Sequence, residues 1–178
     1  MRVIAGNLRH REIKQTNLTT TRETQDKVRQ AIFTMIGPYF DGGSALDLFC
    51  GSGAMAIEAY SRGIEEIYLN DINAQALKVS QENCMNLGIK NAFFSNLDYL
   101  SFLQNNTKIF DLIILDPPYL MDQIDSIIIS CHPFLSKKGI LVFEMGKDSI
   151  FKEEYGSLKL IKNKLYGIKR VLVYQNGR

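Results

Sequence analysis

Four consecutive residues, Asp116-Pro117-Pro118-Tyr119, form the most specific chemical motif of the chain, directly after an apolar run over 111–115. Two prolines fix φ and lack N–H donors, which keeps the backbone carbonyls of this loop out of helix. A carboxylate and a rigid carbonyl can accept both N–H bonds of an exocyclic amine and turn its lone pair toward an electrophile. The tyrosine can stack on an unpaired or flipped-out base. The motif therefore predicts chemistry on the amino group of a nucleobase.

A glycine-rich loop, Gly51-Ser52-Gly53, follows a second apolar run over 45–49 and precedes a segment of helical period. Its glycines allow a tight turn and let a ligand approach the backbone at a helix N-terminus. Asp71 lies 20 residues after Gly51, at the end of the next predicted strand, where a carboxylate can accept from both hydroxyls of a ribose. This spacing fits a dinucleotide about as well as S-adenosylmethionine (SAM).

Asp47 separates these two cofactors, because it lies inside the strand four residues before Gly51. A carboxylate there would repel a pyrophosphate but can hold the ammonium group of the methionine end of SAM. Asp98 follows the third predicted strand. It can either accept from an adenine amino group or cap the short helix that comes next.

The elements that position these residues alternate in type from residue 44 onward, which predicts βαβ units and a mostly parallel sheet in an α/β fold. The predicted strands cover 45–49, 66–70, 92–95, 111–115 and 139–144, and the predicted helices cover 54–62, 73–87, 99–104 and 123–134. Runs over 158–164 and 169–174 predict an antiparallel hairpin at one sheet edge. Toward the N-terminus, 2–5 and 12–15 are expected to pair as a basic hairpin, followed by a helix over about 23–36.

Length and composition fit one globular domain, since the chain has 178 residues of which 46% are hydrophobic and 22% charged. No apolar run approaches the roughly 18 to 20 residues that span a bilayer, and the start has no signal-peptide pattern, so a cytoplasmic location without membrane contact is expected. Three widely spaced cysteines and two histidines suggest neither a disulfide framework nor a metal site.

The formal net charge of +2 hides an uneven distribution. Residues 1–30 carry a net +4, residues 31–146 a net −7, and residues 147–178 a net +5. Basic ends around an acidic middle are typical of a polyanion-binding surface beside a negatively charged pocket. The C-terminal part is equally consistent with solvated surface lysines.

Together the motifs resemble class I SAM-dependent methyltransferases, and more narrowly the RsmD-like family, which methylates the N2 amine of a guanine in 16S ribosomal RNA. The resemblance lies in 1–6, 21–33, 46–54, 58–59, 61–63, 116–119 and 166–167. It implies a Rossmann-like, mostly parallel seven-stranded sheet with an antiparallel last strand and an N-terminal β-hairpin extension. It also implies SAM as cofactor, direct methyl transfer without a covalent enzyme intermediate, and 16S rRNA as partner, in a small-subunit or assembly-intermediate particle. We expect an extension over 1–22, a methyltransferase domain over 23–178, and a monomer.

The candidate site residues fall into three groups. For catalysis they are Asp116, Pro117, Pro118 and Tyr119, and for cofactor binding Asp47, Phe49, Gly51, Gly53, Asp71, Ile72, Leu97 and Asp98. For RNA binding they are Arg9, Arg11 and Lys14 of the basic hairpin, with Arg22, Thr24 and Arg29, which match the family's segment ahead of the glycine loop. No metal ligand is predicted.

Other functions stay open at this point. The same amine loop suits adenine N6 methylation of DNA or RNA, and a NAD-dependent oxidoreductase would use the glycine loop and Asp71 but leave Asp47 and Asp116 without a role. An inactive RNA-binding module would use only the basic ends.

Overall fold

The computed structural model describes residues 1–16, 26–118 and 123–177, and its helices and strands alternate along most of the chain. The helices are α1 (Asp26–Ile36), α2 (Ala54–Ser61), α3 (Ala74–Asn86), α4 (Tyr99–Asn105) and α5 (Ile124–Cys131), with a 3-10 turn over His132–Phe134. The strands are β1 (Ser44–Asp47), β2 (Glu66–Asn70), β3 (Ala92–Ser95), β4 (Phe110–Leu115), β5 (Leu135–Gly146), β6 (Glu154–Tyr155), β7 (Leu158–Tyr166) and β8 (Lys169–Asn176). In the described residues no helix combines the length and apolarity needed to cross a bilayer.

The strands form one mixed sheet in the order β3-β2-β1-β4-β5-β8-β7-β6. The first five strands of this order are parallel, and β8 pairs antiparallel with both β5 and β7. The Rossmann-like fold class and the antiparallel last strand are therefore confirmed. The strand number is corrected from seven to eight, because the two-residue strand β6 pairs with the start of β7. Two residues carry too little hydrophobic pattern to be recognised in the sequence.

Different helices cover the two faces of the sheet. Successive side chains of a strand point to opposite faces, so Ala45 and Ile114 pack in one core with α1, α2 and α3. Leu46 and Ile113 pack in the other core with α4 and α5. Side chains in phase with Ala45 and Ile114 at the ends of these strands therefore face α1, α2 and α3.

Most predicted elements match the structure closely, and one helix ends early. The helix expected over 123–134 is an α-helix only to Cys131, because Pro133 lacks the N–H that would continue the ladder. The chain then enters β5 at Leu135, four residues before the predicted start.

The N-terminal segment, residues 1–16, folds back on itself as predicted, but residues 1–3 pair with 11–13 around the antiparallel bridge Arg2↔Glu12, whereas pairing of 2–5 with 12–15 was expected. Backbone hydrogen bonds from Val3 to Arg11 and from Ile13 to Met1 extend this pairing. Val3 and Ile13 are buried in the same core as α1, α2 and α3. The segment is therefore packed on the helices rather than detached from them.

Polar contacts fix this segment to α2. The buried carboxylate of Glu58 accepts from the backbone N–H groups of Ile4 (2.9 Å) and Ala5 (3.1 Å). Gly6 has a positive φ of 83°, and a Cβ there would lie 1.7 Å from the Ser61 carbonyl oxygen. Position 6 therefore requires glycine both for its conformation and for the close approach of α2.

Arg29 is a correction to the predicted RNA contacts. Its side chain is 0% exposed, donates to the Arg2 carbonyl (2.6 Å) and Asp26 (3.1 Å), and lies 3.6 Å from Glu58. A guanidinium buried between α1 and the N-terminal segment has no surface to offer a phosphate. Its role in this structure is to hold residues 1–5 against the helices.

Candidate functional site

The candidate site lies at the carboxyl edge of the parallel strands, between β1 and β4. The strand order reverses there, since β2 and β3 lie beyond β1 and β5 lies beyond β4; loops leave a crevice at such a point. Asp47, the last residue of β1, pairs in register with Ile114 of β4. Asp116 follows two residues later on the same side of the pleat. The glycine loop and the Asp116 loop therefore flank one crevice.

The glycine loop has the conformation that its glycines predict, with φ of 52° at Gly51 and 80° at Gly53. The missing side chain of Gly53 serves packing, because a Cβ there would lie 2.9 Å from Leu69 and 3.0 Å from Ser80. Gly53 thus lets the loop sit on β2 and α3. The approach of a ligand to the backbone of Gly51 and Gly53 remains a prediction.

Asp71 connects the glycine loop to the end of β2. Its Oδ2 accepts from the Gly51 N–H (2.9 Å), and its Oδ1 accepts from the Asn73 N–H (2.8 Å). Asn73 in turn caps α3 by accepting from the N–H groups of Gln75 and Ala76. The half-buried carboxylate at position 71 is therefore held rigidly at the edge of the crevice.

Asp47 is a buried carboxylate, 2% exposed, at the opening of the crevice. It faces α2, and its Oδ2 accepts from the backbone N–H of Ala56 at 3.3 Å. Ala56 is in the first turn of α2, where the helix dipole favours a negative charge. This contact places the carboxylate against the positive end of the α2 dipole.

Apolar side chains line the neighbouring ends of β2 and β3. Ile72 is 71% exposed and Leu97 is 39% exposed, so both present apolar surface to solvent beside Asp71. Asn96 donates to the carbonyls of Asp71 and Ile72, which joins the two loops. The two loops form a continuous surface against which a flat heterocycle can pack.

Asp98 caps α4, as one of its two predicted roles requires. Its Oδ1 accepts from the N–H groups of Leu100 (3.1 Å) and Ser101 (3.0 Å). Hydrogen bonds hold the pKa of this carboxyl below its usual range, with Ser101 making the larger contribution and Leu100 the smaller one. The contact to an adenine amino group remains a prediction.

The amine loop begins where β4 ends. Asp116 is half-buried, Pro117 is buried and Pro118 is exposed, while Tyr119 lies outside the described residues. The Asp116 carboxylate Oδ2 lies 3.8 Å from the ammonium nitrogen of Lys169. The same ammonium donates to buried Glu144 at 2.8 Å. Two carboxylates and one cation thus meet at the carboxyl ends of β4 and β5.

Cys50 lies beside the glycine loop but is not a nucleophile in this arrangement. Burial, with the negative charges of Asp47 and Asp71, raises the pKa of its thiol. A protonated, buried thiol is a poor nucleophile. Cys50 acts as a small apolar residue of the core.

The predicted RNA-binding residues that the structure describes differ in their surroundings. Arg9 is exposed in the N-terminal turn, Arg11 donates to the Asn86 carbonyl at the end of α3, and Lys14 pairs with Glu82 at 2.9 Å. Arg22 and Thr24 lie outside the described residues. Arg9 and Arg11 therefore lie beside the C-terminal ends of α2 and α3, whereas the glycine loop precedes the N-terminal end of α2.

Asn83 makes structural contacts that were not predicted from the sequence. Its side chain is buried, accepts from the Lys14 N–H and donates to the carbonyls of Lys14 and Ser52, all at 2.9 Å. It therefore links the N-terminal segment to the glycine loop. The sequence did carry a signal for this role, because helical spacing places the polar side chain of Asn83 on the apolar face of α3. Glu144 and Lys169 were also missed, since their meeting depends on strand pairing.

Comparison with known proteins identifies the family. The family model described as "Conserved hypothetical protein 95" matches residues 1–175. YlbH of Bacillus subtilis, provisionally named an rRNA methyltransferase, is 37% identical over 98% of this chain and 98% of its own length. The ribosomal RNA small subunit methyltransferase D of Haemophilus influenzae is 31% identical over 99% of this chain and 94% of its own.

Solved structures share the fold of this chain. A conserved hypothetical protein of Streptococcus pyogenes is 38% identical and superposes with a TM-score of 0.80, covering 83% of this chain and 94% of that chain. A protein of Escherichia coli, provisionally named a methyltransferase, shares the fold with a TM-score of 0.88 at 24% identity, covering 99% and 97% of the two chains. The chain belongs to the conserved hypothetical protein 95 family and is an RsmD-like class I methyltransferase.

Proposed function

We propose that this protein transfers a methyl group from SAM to the exocyclic N2 amine of a guanine in the small-subunit ribosomal RNA. The observation that carries the proposal is that Asp116 directly follows β4, the strand paired with β1, and that β1 leads into the glycine loop. A cofactor loop and an amine loop on adjacent strands bring a donor and an acceptor together.

The chemistry of the residues around the glycine loop fits SAM. Asp47 offers a buried carboxylate for the methionine ammonium, and Asp71 offers a fixed carboxylate for the ribose hydroxyls. Ile72 and Leu97 offer apolar surface for the adenine ring. A pyrophosphate would meet the negative charge of Asp47 instead, which disfavours a dinucleotide. SAM, when bound, supplies an electrophilic methyl group.

The Asp116 loop is proposed to prepare the amine. The lone pair of an exocyclic guanine amine is delocalised into the ring, so the nitrogen is a weak nucleophile until its N–H bonds are drawn out of the ring plane. The Asp116 carboxylate and the Pro117 carbonyl are proposed to accept these two bonds, with Tyr119 stacking on the base. The prolines hold the two acceptors rigid. Gain of the methyl group leaves the amine nitrogen positively charged and therefore acidic, so it loses a proton to water or to Asp116 and becomes a neutral methylated amine.

The RNA substrate is inferred from the relatives and from the charge of the chain. A relative of 31% identity over nearly the full length is named for the small-subunit ribosomal RNA. The exposed cations Arg9, Arg11 and Lys14 are proposed to contact phosphates, and the RNA contacts predicted for Arg22 and Thr24 fall outside the described residues. Methyl transfer measured on free RNA and on an assembling small-subunit particle distinguishes these two substrates.

Methyl transfer from labelled SAM tests the proposal. We expect wild-type protein to label small-subunit rRNA, with mass spectrometry placing the methyl group on guanine N2. Asp116→Ala should lower the rate about 100-fold or more, the usual effect of losing a group that acts on the transition state, and should leave SAM affinity unchanged. Asp148→Ala, which removes an exposed carboxylate after β5, is the matched control. Label on adenine N6, on DNA or on protein would reject the guanine assignment, and binding of NAD without SAM would reject the reaction class.

A further inference from the structure

One partly buried cation lies against the amine loop and has no part in the proposed chemistry so far. Lys169 is only 14% exposed on its side chain, and its ammonium lies 2.8 Å from Glu144 and 3.8 Å from Asp116. Glu144 is 1% exposed. A lysine seldom lies this deep in a protein unless a carboxylate is paired with it.

Strand pairing brings the three groups together from distant parts of the chain. Leu115 pairs with Phe143, so the residues that follow, Asp116 and Glu144, lie side by side at the ends of β4 and β5. Gly146 pairs with Lys169 at the start of β8. Since β8 is antiparallel to β5, the beginning of β8 meets the end of β5 at the carboxyl edge.

The electrostatic consequence follows from this placement. The negative charge of buried Glu144 raises the cost of ionising its neighbour Asp116, because like charges at short range disfavour the charged form. The shared ammonium offsets both charges. A proton on Asp116 would remove an acceptor at the position where the amine must be held.

We infer that Lys169 is a positioning residue for the amine-binding loop, which keeps Asp116 in place as an ionised acceptor while it neutralises Glu144. The inference rests on the proposed function, because it assigns Lys169 a role in presenting the amine. Among the described residues, the charged groups at the strand ends beside Asp116 are Glu144 on β5, Lys169 on β8 and Asp47 on β1. Any change in the titration of Asp116 has to be read against these three.

Three variants separate the charge of Lys169 from its bulk. Lys169→Met removes the cation, and Lys169→Arg keeps it. The double variant Lys169→Met with Glu144→Gln removes both members of the buried pair, which avoids the unpaired buried charge that can unfold a single variant. Thermal unfolding confirms which variants are folded.

Steady-state kinetics of methyl transfer give the first measurement. Because Glu144 and Lys169 lie outside the loops proposed to hold SAM, we expect the KM for SAM to stay within about twofold of wild type while kcat falls roughly tenfold in Lys169→Met. The fall should be smaller, about threefold, in the double variant, since no Glu144 charge then opposes the ionisation of Asp116 and only the contact with the Lys169 ammonium is lost. Lys169→Arg should recover most of kcat. A general loss of structure would instead lower SAM affinity and would not be rescued by arginine.

Carboxyl-carbon NMR titration of Asp116 gives a second measurement that needs no activity. The Asp116 signal, identified by its loss in Asp116→Asn, should titrate at higher pH in Lys169→Met than in wild type. An unchanged midpoint, or a kcat equal to wild type in both methionine variants, overturns the role of Lys169. Absence of methyl transfer by the wild type rejects the proposed function itself, while the titration still reports whether Lys169 keeps Asp116 charged.

Discussion

Substitution of Glu58 by glutamine tests how the N-terminal segment is held. The Glu58 carboxylate is fully buried and accepts from the N–H groups of Ile4 and Ala5 and from Arg62 Nε at 2.7 Å, with Arg29 Nε at 3.6 Å. Glutamine is nearly the same size, but it carries no charge and turns an NH₂ group toward one set of donors. Two buried guanidinium groups then share no carboxylate between them.

The expected cost follows from what each arginine retains. Removing one partner of a buried ion pair costs about 3–5 kcal/mol. Arg62 keeps hydrogen bonds to the Pro38 carbonyl and to Gln30, and Arg29 keeps the Arg2 carbonyl. We therefore expect the lower end, about 3 kcal/mol, which for a domain of this size corresponds to a fall in Tm of roughly 6–12 °C.

Urea unfolding followed by circular dichroism measures this loss. Glu66→Gln is the matched control, because it makes the same chemical change in an ion pair with Lys108 whose side chains are more than a third exposed. Such a pair contributes at most about 1 kcal/mol. If Glu58→Gln and Glu66→Gln destabilise equally, the buried cluster does not hold the N-terminal segment in the way the contacts indicate.

Two further outcomes are expected. The double variant Arg9→Ala with Arg11→Ala should weaken the binding of small-subunit rRNA. It should also reduce the magnitude of the slope of log affinity against log salt by about 1.4–1.8. SAM affinity should stay unchanged, and its loss would contradict a dedicated RNA contact. Burial raises the pKa of the Cys84 thiol to about 12, so its contribution to folding is full below the unfolded pKa of about 8.5 and is lost as pH rises toward 12. The difference in unfolding free energy between wild type and Cys84→Ala should therefore shrink between about pH 8 and pH 10, and a constant difference would exclude that titration.

The carboxylates of the crevice were predictable because they lie in or directly after strands of one parallel sheet. Asp71 and Asp116 follow apolar runs that indicate strands, Asp47 lies within such a run, and parallel strands of βαβ units end at the same edge. The pattern therefore places the three groups together without knowledge of any contact. Their partners, such as the Gly51 N–H that Asp71 accepts from, depend on loop conformation and could not be read from spacing.

Arg29 shows an available signal that was not used. It lies three and four residues before Ile32 and Phe33, which are buried on α1, so the helical period places it on the buried face. An arginine on an apolar helix face is as consistent with an internal ion pair as with a surface cation. Lys169 carried no comparable signal, because its neighbours depend on the register of β8 with β5.

The charge distribution gives a physical account of how a polyanion can use an acidic crevice. Asp47, Asp71, Asp116 and Glu144 all lie at the carboxyl edge, so phosphates are repelled from the site while an uncharged base with an amine to donate is attracted. The backbone of an RNA must then be held outside the crevice, where phosphate contacts set position and carry no sequence information. Exposed arginines of the N-terminal turn suit that task. Lys169 acts inside the crevice instead, because its ammonium reduces the negative charge around Asp116, the carboxylate that is proposed to stay ionised.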